Sequence, residues 1–254
     1  MGKDFNKWFN AFILAGMSVA LIVITSLKFS ASSPEGRVLL VVSAFGALMG
    51  VLATVCSANG RIVTFLFGFL DVAIYGVMCL LNWKDGGSGL GNAILHFVYF
   101  VPMQFVGYAQ WRRRGAAPSG GGTLLARRLS ARQWALYSVI FIVGAVAAYL
   151  LVARFDRSAS GAGTLRVAAL LDVLPLMCNI LGQLLMSTAY MEQWIFWIGV
   201  NVFSIVMWSC SAADSGFAAV YIVKYSFYLL NSFNGLRIWR ALSRRREDEG
   251  SLDM

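Results

Sequence analysis

Three stretches of this chain place flat aromatic rings and hydrogen-bonding side chains on single helical faces, in segments otherwise too apolar to meet water. Successive residues of a helix turn by about 100°. On that rule Trp194, Trp197, Asn201, Ser204 and Trp208 fall within one narrow stripe. Tyr221, Lys224, Tyr228 and Asn231 make a second, and Asp172, Asn179 and Gln183 a third at spacings of seven and four. Polar groups inside hydrocarbon are costly and mark functional sites by default. Rings that stack and amides that both donate and accept suit a flat, aromatic, hydrogen-bonding solute. Asp71, with Tyr75 one turn beyond it, and Asp172 would carry protons or pair with Lys224. Pro102 and Gln104 read as a kink with a freed carbonyl, or as ligand contacts. Trp194 begins its helix and alone would more often be an interfacial anchor. Trp197 and Asn201 lie deeper. Amide bonds between membrane helices are worth only about 0.6 kcal/mol on average, which favours a site over interhelical glue.

The elements that carry these residues are membrane spans. Of 254 residues, 59% are hydrophobic and 13% charged, against roughly a quarter charged in soluble domains. A water-soluble fold of this size could not hide that apolar surface, so lipid is the solvent. Eight stretches approach the roughly 20 apolar residues a bilayer core requires: about 9–27, 38–56, 62–82, 93–111, 134–154, 165–187, 191–212 and 216–239. The first follows Lys3 and Lys7, as a secretory signal would. Its full spanning length and the weak cleavage pattern of SLKFSASSPEGR make it a retained helix.

The chain also repeats itself. FGFLD at 67–71 is answered by WIGVN at 197–201, and GYAQWR at 107–112 by GLRIWR at 235–240, at offsets of 130 and 128. His96 takes the position equivalent to Lys224, facing the interior or solvated near the outer end. A single joining helix returns the chain to its starting side, so the two three-helix units share one orientation. The expected fold is an all-α membrane protein of eight transmembrane helices, a SWEET-like parallel 3+1+3 repeat plus one peripheral N-terminal helix. Its divisions are an extra helix and loop (1–37), a first repeat (38–111), a basic loop and linker helix (112–164), a second repeat (165–240) and a tail (241–254). The loop GAAPSGGGT at 115–123 is flexible by composition. Polar groups at matching depths of two repeats point to a transporter whose site lies between them. GALMG at 46–50 has the small-xxx-small spacing for close helix contact, within the bundle or between subunits of a homo-oligomer.

A net charge of +9 would suggest nucleic acid in a soluble protein. Here its placement excludes that. Arg112, Arg113, Arg114, Arg127, Arg128 and Arg132 separate the fourth and fifth spans, and Arg240, Arg244, Arg245 and Arg246 follow the eighth. The positive-inside rule puts both clusters, and with eight spans both termini, in the cytoplasm. Cys56, Cys79, Cys178 and Cys210 lack paired spacing and read as buried thiols, although Cys79 and Cys210 both fall near outer helix ends. A single histidine cannot build a metal site, no G-x-x-x-x-G-K-[ST] loop would bind ATP, and no cofactor is implied. No nucleophile–base set suggests an enzyme. Seven core helices with Lys224 in the last, and Asp71 as counter-ion, also fit the outline of a retinal-binding protein; the parallel repeat argues against it.

WIFWIGVN at 194–201 is similar to the W-x-x-W-x-x-x-N signature of the Pnu-type vitamin transporters, and YSFYLLNSFNGLRIWR at 225–240 looks like that family's closing helix. The resemblance covers about 38–240 and is nearest to the nicotinamide riboside carriers, with thiamine and riboflavin carriers next. It implies passive uptake of nicotinamide riboside across a bacterial cytoplasmic membrane, trapped by a cytoplasmic riboside kinase. Trp194, Trp197 and Asn201 carry over from the signature, with Gln183, Tyr228 and Asn231 as neighbours. Lys224 fits badly beside a cationic nicotinamide ring and is expected to meet Asp71, Asp172 or a ribose oxygen. Another vitamin such as thiamine, and proton coupling through Asp71 or Asp172, stay as alternatives.

Overall fold

The computed structural model describes residues 3–30, 32–86, 90–117, 124–155, 167–210 and 218–252. Eight helices follow in chain order: α1 (Lys3–Phe29), α2 (Pro34–Ala58), α3 (Thr64–Lys84), α4 (Leu90–Arg113), α5 (Ala131–Phe155), α6 (Val167–Ser187), α7 (Gln193–Cys210) and α8 (Ala218–Leu252). The first seven are long and apolar enough to cross a membrane. The eighth falls short because Lys224, Asn231 and Asn234 interrupt its apolar run. It also runs past the expected tail boundary at 240, through a stretch whose Ala, Leu, Arg and Glu are strong helix formers.

Local signals start and stop these helices. Ser33 caps α2 by accepting from the Gly36 N–H, with Pro34 in the first turn and Glu35 against the positive end of the dipole. After α2, Gly60 takes φ +66°. After α6, Ala189 takes φ +61°. The two turns match: Gly60 N donates to Ser57 O at 3.0 Å, and Ala189 N to Met186 O at 3.0 Å. In α4 the five residues His96–Phe100 form a π-helical turn. It ends just before Pro102, which has no N–H to continue the ladder. A proline that the spacing arguments passed over, Pro175, lies inside α6.

Six helices close into a ring in the order α2, α3, α4, α6, α7, α8 and back to α2. Outside it, α1 packs on α2 and α8 through Ile13 and Met17, which are fully or nearly fully buried against Val51, Val55, Phe227 and Tyr228. Asn10 and Asn59 exchange hydrogen bonds at 3.2 Å there. α5 packs mainly on α6, with Phe141 also against Phe196 of α7, and leaves Leu136, Val139, Ile142, Val143, Val146 and Leu150 exposed, a surface for lipid. GALMG works inside the bundle: a Cβ at Gly46 would sit 2.8 Å from Ile74 of α3.

A buried cluster of tryptophans closes the arginine-rich end. Trp111, Trp194 and Trp239 are buried there with Ala58, Ile62, Phe65, Met186, Ala189 and Met191. Only part of the α4–α5 connection behaves as its composition suggests. Residues 118–123 lie outside the described residues, but Ala116, Leu124 and Ala126 are buried in this cluster. Arg127 pairs with the α6–α7 turn, its N–H donating to Ala189 O at 2.7 Å and its carbonyl accepting from Met191 N at 2.9 Å. Glu192, also buried, accepts from Leu129 N at 3.1 Å. Cys178 is buried, Cys56 and Cys79 are half-buried, Cys210 is exposed, and all four are free.

Gly107 and Gly235, which head the two matching segments, each make room for a ring. A Cβ at Gly107 would collide with Phe65, and one at Gly235 with Trp194. Gly107→Ala and Gly235→Ala should therefore each destabilise the folded protein by about 1–3 kcal/mol, the usual cost of overpacking. Thermal unfolding in detergent checks this; unchanged melting temperatures would mean the rings move aside freely.

Candidate functional site

The ring encloses a cavity of about 460 Å³, within the roughly 300–1,000 Å³ usual for small-molecule sites. It runs from Tyr75, Asn92 and His96, away from the arginines, down to Ser57, Thr64 and Trp194 above the buried cluster. Every helix of the ring contributes. α7 supplies Trp194, Trp197 and Asn201; α6 supplies Asn179 and Gln183; α8 supplies Lys224, Tyr225, Tyr228 and Ser232; α3 supplies Asp71; α4 supplies Gln104.

Nine of the ten residues expected to bind a ligand thus share one wall: Trp194, Trp197, Asn201, Gln183, Asn179, Tyr228, Lys224, Asp71 and Gln104. Asn231 does not. It is fully buried and donates to the Thr54 carbonyl of α2 at 3.2 Å, so it joins two helices and does not line the cavity. Asp172 is a second correction. It is exposed on α6 and outside the lining, two turns before Asn179 and near the start of the helix. The outer parts of two stripes also serve packing: Trp208 stacks flat on Tyr221, centroids 4.1 Å apart, and neither lines the cavity.

The polar groups of the wall are held by their neighbours. Asn201 Nδ2 donates to Trp197 O at 2.8 Å and to Ser232 Oγ at 3.1 Å, tying α7 to α8. Gln183 Nε2 donates to Ser187 Oγ at 3.0 Å, and that hydroxyl donates to Met103 O at 3.0 Å, tying α6 to α4. Asn179 Nδ2 donates to Pro175 O at 3.0 Å. Gln104 Nε2 reaches Phe100 O, the last carbonyl of the π turn, at 3.2 Å. Lys224 Nζ stands over the Tyr225 and Tyr228 rings at 5.6 and 5.7 Å, within cation–π range. His96 lies between Tyr75 and Phe100 with its ring tilted against both, centroids 4.7 and 4.9 Å away.

Three buried groups in the wall have no protein partner among the described residues: Gln104 Oε1, Trp194 Nε1 and Ser57 Oγ. Each such unmade bond costs about 1–3 kcal/mol.

The stripe argument missed Gly50, Thr54, Ser57, Thr64 and Gly68. Gly50 and Gly68 admit Asp71 and Gln104: a Cβ at Gly50 would sit 2.7 Å from Asp71 Oδ2, and one at Gly68 2.6 Å from Gln104 Oε1. Their small size was visible in GALMG and FGFLD, but not the neighbour each makes room for.

This arrangement defines a class: a multi-pass helical membrane transporter with a solute-sized cavity inside a six-helix ring. The chain belongs to the nicotinamide mononucleotide transporter family, whose model matches residues 40–241. The nicotinamide riboside transporter PnuC of Haemophilus influenzae is 29% identical over 227 residues, 89% of each chain. That of Neisseria mucosa is 30% identical over 206 residues, 80% of this chain and 73% of the other. A crystal structure of the vitamin B3 transporter PnuC superposes with a TM-score of 0.64 at 25% identity, covering 96% of this chain and 94% of that one. The retinal-binding alternative falls with this assignment.

Proposed function

We propose that the chain carries nicotinamide riboside across a bacterial cytoplasmic membrane by facilitated diffusion, with a cytoplasmic riboside kinase retaining what enters. The observation that carries this reading is the wall itself, where Trp194, Trp197, Asn201, Gln183 and Gln104 converge on one cavity. Nicotinamide bonded to ribose is a flat cation with a carboxamide. The tryptophan faces would stack it and add roughly 0.5–2 kcal/mol of cation–π attraction. Gln104 Oε1 would accept from the carboxamide nitrogen, and Trp194 Nε1 or Ser57 Oγ would donate to its oxygen. Lys224, unsuited to a cationic ring, would then sit with Asp71 toward the ribose.

The architecture in this reading is a parallel 3+1+3 repeat like that of SWEET carriers, units 38–111 and 165–240 joined through 112–164, with 1–37 added outside and 241–254 as a tail. Two features support it. The turns after α2 and α6 match, and the six ring helices fall into two consecutive triplets. The arginine-rich end and both termini face the cytoplasm by the positive-inside rule.

Liposomes containing the purified protein should equilibrate labelled nicotinamide riboside without accumulating it, whatever the pH or sodium gradient. Uphill accumulation under either gradient would overturn passive transport and give Asp71 a coupling role.

A further inference from the structure

The ring has two seams where one triplet meets the other, α4 against α6 and α2 against α8. A buried tryptophan fastens each. Trp111 Nε1 on α4 donates to Met186 O at the end of α6, 2.8 Å away. Trp239 Nε1 on α8 donates to Ser57 O at the end of α2, 2.9 Å away. The bonds cross reciprocally, and the two rings lie 5.2 Å apart, both fully buried. Ser57 and Met186 also line the cavity, so each bond fixes a piece of its floor. Leu124 and Ala126 pack into the same cluster.

The same seams carry bonds from Tyr99 to Ile180, Ser187 to Met103 and Asn231 to Thr54. Of these seam bonds, those of the tryptophans lie nearest the basic end, on carbonyls in the last turns of α2 and α6. Those carbonyls keep backbone partners without the indoles, Gly60 N on Ser57 O and Ala189 N on Met186 O. Breaking an indole bond therefore orphans no carbonyl, and the freed N–H can be met by water entering from the basic side. Such a bond fastens and releases at small cost.

We infer that Trp111 and Trp239 are positioning residues of the transport step, whose crossed bonds hold the basic end of the ring shut until both break and open the cavity to that side. The inference rests on the carrier reading above, but not on which solute is carried.

Site-directed labelling tests it. In a background with Cys56, Cys79, Cys178 and Cys210 changed to Ala, Ser57→Cys is exposed to a membrane-impermeant maleimide on the basic side of inside-out vesicles. Each lost bond should raise the open population about 2- to 13-fold, so Trp111→Phe with Trp239→Phe should speed labelling roughly 5-fold or more. Asn92→Cys, lining the opposite end, should label from its own side no faster than before. An unchanged rate at position 57 would overturn the inference. So would an equal rise at both positions, which would make the tryptophans simple supports of the bundle. No ligand is needed, so a wrong solute assignment leaves this result readable.

Discussion

Nicotinamide riboside should displace nicotinamide mononucleotide from this protein at concentrations at least 100-fold lower than the mononucleotide needs to displace it. A phosphate inside the ring must shed water, which costs several kcal/mol unless cations clamp it. Each 1.4 kcal/mol is tenfold in affinity. Tight phosphate sites use bidentate arginine or helix N-termini. Among the described residues that line the cavity there is no arginine, and Lys224 shares the space with Asp71. Arg237 is turned away, bonded to Asn234 at 2.7 Å and to Asn6. The family's description names the mononucleotide while the similar relatives are described as riboside transporters, and the charge lining this cavity fits the riboside. Exclusion of phosphate also makes retention work, because a phosphorylated product could not leave by the same path. Competition binding with the two compounds checks this; comparable affinities would contradict both the site and the trapping.

Trp197→Ala and Asn201→Leu should each weaken riboside binding about 5- to 150-fold, the equivalent of about 1–3 kcal/mol. Trp197 lies against Gly182 of α6, where a Cβ would stand 3.3 Å from its ring, so its plane is fixed before any ligand arrives. Its loss removes a stacking face. Asn201 also bonds Ser232, so its effect needs separating from helix packing. Ser232→Ala removes that interhelical bond, together with the hydroxyl's own bond to Tyr228 O, while leaving the Asn201 amide in place, and should cost no more than about 3-fold. Calorimetry on folded variants decides. Wild-type affinity in both principal variants would place the site elsewhere.

The sequence was legible where a feature was periodic or duplicated. Apolar length placed seven helices able to span and an eighth that falls short of that apolarity, and the 100° rule brought Trp194, Trp197, Asn201, Asn179, Gln183, Lys224 and Tyr228 to one cavity. Stripes report which face of a helix looks inward, and they hold only while the helix is regular and the inward face meets space. Asn231 lies on the right face but meets the α2 backbone. Asp172 lies on the right stripe, but near the start of α6 that face is exposed and lies outside the cavity lining. Gly50 and Gly68 carry no side-chain signal, since their contribution is the room they leave for a neighbour on another helix. The α4–α5 connection read as flexible because glycine and serine dominate part of it. What docks its remainder is a backbone pairing at Arg127, which composition cannot express. The tryptophans of GYAQWR and GLRIWR marked the repeat, while their carbonyl partners on α6 and α2 lie 75 and 182 residues away in the chain.

The central claim is that this cavity binds nicotinamide riboside, and the melting temperature of the purified protein tests it most directly. A ligand that binds only the folded state raises stability in proportion to RT ln(1 + [L]/Kd), about 2.7 kcal/mol at 100 times Kd. Among nicotinamide riboside, its mononucleotide, thiamine and riboflavin, the riboside alone should raise the melting temperature of the wild-type protein, and Trp197→Ala should abolish most of that shift. A shift with thiamine or riboflavin and none with the riboside, or a riboside shift that survives in Trp197→Ala, would contradict the account.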